Sequence, residues 1–146
     1  MDDVKRLLKQ APLFRGLKDS QLNQMVALAH AEAHAPGTVI FEQDDAGDCM
    51  YVIADGQVEI QVKDHTGGLN AVLIMGEGQI FGEMALLDQG ARSATVVTLR
   101  DGARLYSISG DDFKALCQQD TAIGYVMMRN IALDLSFKIR HQNSFS

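Results

Sequence analysis

The sequence predicts a mainly β domain, a barrel or jelly roll with helices at both ends. Short runs rich in β-branched and aromatic residues fill the middle of the chain, from about residue 37 to residue 108. Apolar residues at helical spacing occur before and after that region. Many short strands separated by turn residues are typical of closed β architectures. The length of 146 residues is sufficient for one such domain with its own core.

Composition and charge restrict the classes of partner. The net charge of −6 disfavours attraction to nucleic acid or to anionic lipid, so we expect no direct nucleic-acid partner. No segment approaches the roughly 18 consecutive apolar residues that crossing a bilayer requires. Cys49 and Cys117 form no paired motif, and the N-terminus lacks the apolar run of a signal peptide. The sequence therefore predicts a reduced, cytoplasmic protein with no membrane partner.

Both ends of the chain have helical patterns. Residues 1–36 are predicted to contain helices over 4–9 and 19–31. In the C-terminal region, 109–146, Ser109 and Asp112 resemble a capping box at a helix start, and a longer helix is predicted from Thr121 to Arg140.

The central region, 37–108, has the alternation and turn residues of strands. Asp55-Gly56 separates two β-rich runs and predicts a hairpin. A second hairpin is predicted through 64–68 into a strand over 69–75. Further strands are predicted over 93–98 and 103–108.

An irregular segment, residues 76–97, interrupts this pattern. Glycines let its backbone approach a ligand closely, and residues 83–87 could form about one helical turn. Arg92 offers two parallel hydrogen bonds to phosphate oxygens, whereas Glu83 would repel a phosphate but accept from a sugar hydroxyl. One acid and one base match the free 2′-hydroxyl and the phosphate of a 3′,5′-cyclic nucleotide.

The same segment resembles the phosphate-binding cassette of the cyclic nucleotide-binding domain family. The matching motifs are FGEMALL at 81–87 and RSATV at 92–96, and we call residues 81–96 the cassette. Resemblance to the family extends over nearly the whole chain. One departure is Asp44, where many members have Gly, and Asp tolerates a left-handed backbone better than most residues.

The resemblance implies an eight-stranded β-roll with flanking helices that senses cAMP, or cGMP, without catalysis, cofactor or metal. Glu83 is expected to accept from the ribose 2′-hydroxyl and Arg92 to bind the cyclic phosphate, both facing the ligand rather than the core. Ser93 follows the arginine where cGMP-selective relatives often have Thr, which favours cAMP. The expected ligand-binding residues are Phe81, Gly82, Glu83, Met84, Ala85, Leu86, Arg92, Ser93 and Ala94.

The long C-terminal helix is the expected moving part. In the family the corresponding helix covers the base, and Phe137, Lys138 and Arg140 are the candidate lid residues. Its movement would signal to a downstream protein whose identity the sequence does not give. An alternative role for this helix is a homodimer seam formed by Ile131, Leu135 and Ile139.

Other interpretations compete with this one. Glu83 and Arg92 could form a structural ion pair, and the domain could be a scaffold without ligand. A cupin-like metal-dependent enzyme would need clustered strand ligands, whereas His30 and His34 are predicted to lie at a solvated helix end. Met127 and Met128 are interpreted as core residues. Cys49 and Cys117 are interpreted as unreactive structural thiols.

Overall fold

The computed structural model describes residues 2–141. Within these residues, four α-helices and two short 3-10 helices lie at the ends and beside the cassette. The α-helices are α1 (Asp2–Gln10), α2 (Asp19–Val26), α3 (Gly110–Gln119) and α4 (Thr121–Arg140), and the 3-10 helices are Pro12–Phe14 and Glu83–Leu86.

Six strands within the described residues form one antiparallel sheet. Their order is β1-β6-β3-β4, with β2 paired to β6 and β5 paired to β3. The strands are β1 (His30–His34), β2 (Val39–Phe41), β3 (Cys49–Lys63), β4 (Leu69–Met75), β5 (Ile80–Phe81) and β6 (Thr95–Ser109). The mainly β class with flanking helices is confirmed.

Two 15-residue strands replace several shorter predicted ones. The predicted hairpin at Asp55-Gly56 is wrong, because β3 continues through it while pairing with β6, with register shifts on both sides of the dipeptide. Gly56 has φ +84°, and a Cβ there would lie 2.2 Å from the carbonyl oxygen of Gly102. Glycine is therefore required by the close crossing of two strands rather than by a turn. Because β3 and β6 each span 15 residues in spite of these register shifts, the sheet of the described residues has six strands instead of eight.

The second N-terminal helix is shorter than predicted. It ends at Val26, and His30–His34 forms a strand that pairs with β6 from Ala103 to Ser107. The prediction of a helix over 19–31 is wrong at its end because the ladder to β6 outweighs local helical spacing. His34 Nε2 lies 2.8 Å from Glu32 Oε1 on this strand.

Other local predictions are confirmed. The hairpin between β3 and β4 pairs Lys63 with Leu69, and the Ser109 hydroxyl accepts from the Asp112 amide at 3.0 Å. The long helix spans the predicted residues. Within it Met127 is fully buried, but Met128 is 39% exposed, so the core prediction was right for the first methionine and wrong for the second. Among residues 2–141, no helix is long and apolar enough to cross a bilayer.

The core has two parts, and they position the cassette between them. One cluster packs α1 to α4 against one side of the roll and includes Phe113, Met127 and Leu86. The other fills the roll and includes Tyr51, Phe81 and other apolar residues of the facing strands.

Candidate functional site

A cavity of about 1060 Å³ opens between the cassette, the first 3-10 helix and α4. This volume is at the upper end for small-molecule sites, about 300–1,000 Å³. Eight of the nine residues expected to bind ligand line it. They are Phe81, Gly82, Glu83, Met84, Ala85, Arg92, Ser93 and Ala94.

Leu86 is the exception among the predicted binding residues. Its side chain is fully buried in the helix-facing core cluster and does not line the cavity. The cassette 3-10 helix turns the Leu86 side chain into that core cluster, which anchors the turn. Leu86 is thus a core residue beneath the site.

Gly82 shapes the start of the cassette helix. Its φ of +75° is in the left-handed region, and a Cβ there would lie 2.7 Å from Nη1 of Arg92. The cavity wall therefore requires glycine for its backbone conformation as well as for space. The single helical turn predicted after it is confirmed as a 3-10 helix over Glu83–Leu86.

Arg92 is buried, with an exposed fraction of 7%. Its Nη2 donates to the Cys49 carbonyl at 2.7 Å and its Nη1 to the Gly82 carbonyl at 3.4 Å. The guanidinium carbon lies 3.9 Å from the centre of the Phe41 ring. Nη2 of Arg92 lies 3.8 Å from Oδ1 of Asp48. The expectation that this side chain faces ligand rather than core is therefore incomplete, because the guanidinium also ties two backbone segments together.

The Nε atom of Arg92 is different from its other nitrogens. It is buried and has no hydrogen-bond partner within the described residues. Burying a charged donor without a partner is costly. Arg92 lines the cavity, so an anion there could supply the missing acceptor.

The loop before β3 holds the backbone at Arg92 in place. The Arg92 amide donates to the Asp45 carbonyl at 2.7 Å, and its carbonyl accepts from Asp44 at 2.8 Å. Asp44 has φ 78°, so an aspartate occupies a left-handed backbone position here. A Cβ on Gly47 would lie 3.1 Å from Arg92 Nε. Phe41 and Gly47 were not predicted as site residues, although both lie in segments that resemble the family.

Glu83 is on the same cavity wall, with a side chain 17% exposed. Its carboxylate oxygen Oε1 accepts from the Lys138 ammonium, which also contacts Asp134 Oδ2 at 3.0 Å. Burial lowers the pKa of Lys138, but the bonds and charges of Glu83 and Asp134 outweigh burial and raise it. Arg92 meets Asp48 instead, so the alternative of a Glu83–Arg92 ion pair is wrong.

The end of α4 supplies two of the three predicted lid residues. Phe137 and Lys138 line the cavity, whereas Arg140 does not. The Phe137 ring is 62% exposed and stacks on His141 with 4.2 Å between ring centroids. The helix end therefore reaches the cavity, but through residues on one face only.

The middle of α4 is fixed to the N-terminal region by a side chain that sequence reasoning missed. Asn130 is buried, and its Nδ2 donates to the carbonyls of Leu13 and Arg15, each at 2.8 Å. An asparagine between the core residues Met127 and Ile131 is the signal that could have indicated it, since buried amides need partners. The described part of α4 beyond Asn130 is connected to the cassette by Lys138.

The competing sites have no support from the geometry. No cluster of three His, Cys, Asp or Glu residues within residues 2–141 is arranged to hold a metal. Burial, followed by the charge of Asp48, raises the pKa of the Cys49 thiol to about 11. Burial, followed by Asp120, also raises the pKa of Cys117. Both thiols therefore stay protonated and poorly nucleophilic near neutral pH.

A curated relative covers most of the chain. The cyclic AMP receptor protein of Thermus thermophilus is 32% identical over 134 residues, which is 91% of this chain and 59% of the relative. The chain therefore spans about three fifths of that protein's length.

Solved structures share the fold. The N-terminal domain of a transcriptional regulator from Streptomyces coelicolor has a TM-score of 0.82 and 26% identity, covering 90% of this chain and 94% of that one. The regulatory domain of Toxoplasma gondii PKA, crystallised with cAMP, has a TM-score of 0.73 and 28% identity, with coverage of 79% and 43%. The profile of the cyclic nucleotide-binding domain matches residues 31–120, from β1 to the end of α3. The cassette lies in the middle of that match, and the chain belongs to the cyclic nucleotide-binding domain family.

Proposed function

We propose that this chain is a cAMP sensor that catalyses no reaction and signals through α4 to a partner protein. The observation that carries the proposal is the buried guanidinium of Arg92, whose Nε has no partner within the described residues and which lines a large cavity. A cyclic phosphate is an anion of the right size to complete it. Charged hydrogen bonds of this kind contribute about 1.5–3 kcal/mol each.

Glu83 supports a sugar phosphate rather than a simple anion. A carboxylate accepts hydrogen bonds and repels phosphate, so its place on the same wall as Arg92 suits a ligand that also carries a hydroxyl. In a 3′,5′-cyclic nucleotide the 2′-hydroxyl is the only ribose hydroxyl left free. The apolar wall around Phe41, Ile60 and Leu73 would cover the base.

Three observations support cAMP over cGMP. The Thermus relative is a cyclic AMP receptor protein, and the Toxoplasma structure was solved with cAMP. Ser93, next to Arg92, is an exposed residue of the cavity wall and lacks the threonine methyl that often accompanies cGMP preference.

Calorimetric titration with cAMP and cGMP tests the proposal. We expect cAMP to bind with a micromolar dissociation constant, about −8.2 kcal/mol, and cGMP to bind more weakly. Glu83→Ala should weaken cAMP binding roughly ten- to hundredfold, because one charged hydrogen bond is lost. The control is Glu77→Ala, which removes an exposed carboxylate that does not line the cavity.

Three results would contradict the proposal in different ways. Parent-like cAMP binding by the Glu83 variant would show that the pocket is wrongly assigned. At least tenfold tighter binding of cGMP would overturn the choice of base. If neither nucleotide bound, the domain would be a scaffold of the same fold.

A homodimer through α4 is part of this proposal, with a seam that keeps Leu135 and Ile139 from the predicted one but excludes Ile131. Ile131 is 3% exposed and packs in its own core, so it is unavailable to a partner. The exposed or half-buried apolar residues on another face repeat at alternating spacings of three and four, as in a two-stranded coiled coil. This seam consists of Tyr125, Met128, Ala132, Leu135 and Ile139. A repeated stripe of this kind is self-complementary, so a second copy is the partner it fits.

Tyr125→Glu is expected to weaken the dimer at least about tenfold, because a charge replaces a 69% exposed aromatic ring at the seam. Sedimentation equilibrium of the parent and variant measures this change. Ala122→Glu places the same charge at an exposed position of the same helix outside the seam and should leave the dimer intact. A monomeric parent, or equal effects of both variants, would refute the seam.

A further inference from the structure

Three charged side chains meet where α4 approaches the cassette. The Lys138 ammonium lies between Glu83 on the cassette and Asp134 one turn earlier on its own helix. The Glu83 carboxylate, which accepts a hydrogen bond from this ammonium, is the group assigned above to the ribose 2′-hydroxyl. The face of α4 that supplies Lys138 also lines the cavity.

We propose that Lys138 is a specificity-determining residue that competes with the ligand's 2′-hydroxyl for Glu83. The inference rests on the proposed function of the site. When ligand binds, the hydroxyl donates to Glu83 and the ammonium retains Asp134 alone. The pair Glu83–Lys138 thus lowers affinity for ribose-containing ligands and has no such effect on a ligand that lacks the 2′-hydroxyl.

The geometry explains why the two donors compete. The Glu83 side chain is 17% exposed, so little of it is open to a second donor while Lys138 is in place. The positive charge of the ammonium also weakens the carboxylate as an acceptor for a neutral hydroxyl.

The geometry also explains why the exchange costs little free energy. The Lys138 side chain is 50% exposed, and it already has a second carboxylate 3.0 Å away on the same helix. When Lys138 moves away from Glu83, its ammonium therefore does not become an unpaired charge in a buried site. Asp134 is the acceptor that keeps the ammonium paired when a neutral group displaces it from Glu83.

The test compares cAMP with 2′-deoxy-cAMP on three variants by calorimetry at one ionic strength. Lys138→Met should bind cAMP about two- to fivefold more tightly, the range of a partly exposed ion pair, and bind 2′-deoxy-cAMP as the parent does. Asp134→Asn should bind cAMP more weakly, because Lys138 then has Glu83 as its remaining carboxylate. Lys9→Met removes the same charge from an exposed position on α1 and should match the parent for both ligands.

Every other result but one decides against the inference or against the proposed function. Weaker binding of both ligands by Lys138→Met would show that Lys138 covers the bound nucleotide instead of competing with it. Equally tighter binding of both would show that the gain does not arise at the 2′-hydroxyl, which contradicts the competition. If cAMP bound neither the parent nor Lys138→Met, the proposed function itself would fail. Binding by Lys138→Met alone would support the competition.

Discussion

Replacing Arg92 by Leu is expected to weaken cAMP binding by about a hundredfold or more. The variant loses the cation that would face the cyclic phosphate, and with it two or more charged hydrogen bonds of about 1.5–3 kcal/mol each. It also leaves the carbonyls of Cys49 and Gly82 without a donor that they have in the parent. Calorimetry gives the affinity, and urea unfolding gives the accompanying loss of stability.

Arg92→Lys separates the two roles of this residue. Lysine keeps the charge but not the planar fork, so we expect intermediate affinity and a smaller loss of stability. Parent-like affinity of Arg92→Leu, measured on folded protein, would remove Arg92 from the site. A variant that loses stability without losing affinity would assign Arg92 to the fold alone.

Gly110→Ala is expected to cause a large loss of stability through a single added methyl group. A Cβ at Gly110 would lie 2.2 Å from the Ala85 carbonyl oxygen, a distance that atoms do not occupy without backbone movement. Overpacking of this kind costs about 1–3 kcal/mol, and more where backbone must shift. Because Ala85 is in the same 3-10 helix as Glu83, cAMP affinity should fall as well.

Gly76→Ala is the matched control for this substitution. Its Cβ would have no neighbour closer than 3.8 Å, an ordinary contact, so stability and affinity should stay near those of the parent. The midpoint of urea unfolding and a cAMP titration measure both quantities. A Gly110→Ala protein as stable as the control would show that α3 and the cassette are not in tight contact.

Features determined by neighbouring residues were predictable from the sequence. The cap at Ser109, the bounds of α4 and the hairpin before β4 follow from capping residues, helical spacing and turn residues. Two features depend on pairing with β6 instead: the strand at His30–His34 and the continuation of β3 through Asp55-Gly56. Local sequence patterns do not indicate such long-range pairing.

The same distinction between local and long-range features applies to the candidate site. The cassette residues that line the cavity lie close together in sequence and were predicted, apart from Leu86, which the local turn directs inward. The contact between Lys138 and Glu83 joins residues 55 positions apart, and no motif indicates it. The Asn130 bonds to the first 3-10 helix and the residue after it are similarly long-range.

The pairing of β3 with β6 has a kinetic consequence for the free and the ligand-bound protein. These strands contact residues far apart in sequence, and the segment that connects them contains the cassette. The chain must therefore close a long loop before the ligand site exists, which makes folding slow relative to a helical protein of this size. A ligand that binds only the closed roll stabilises the folded protein by mass action, and it can bind only after the roll has closed. Nucleotide should accordingly lengthen the lifetime of the folded protein without hastening its formation.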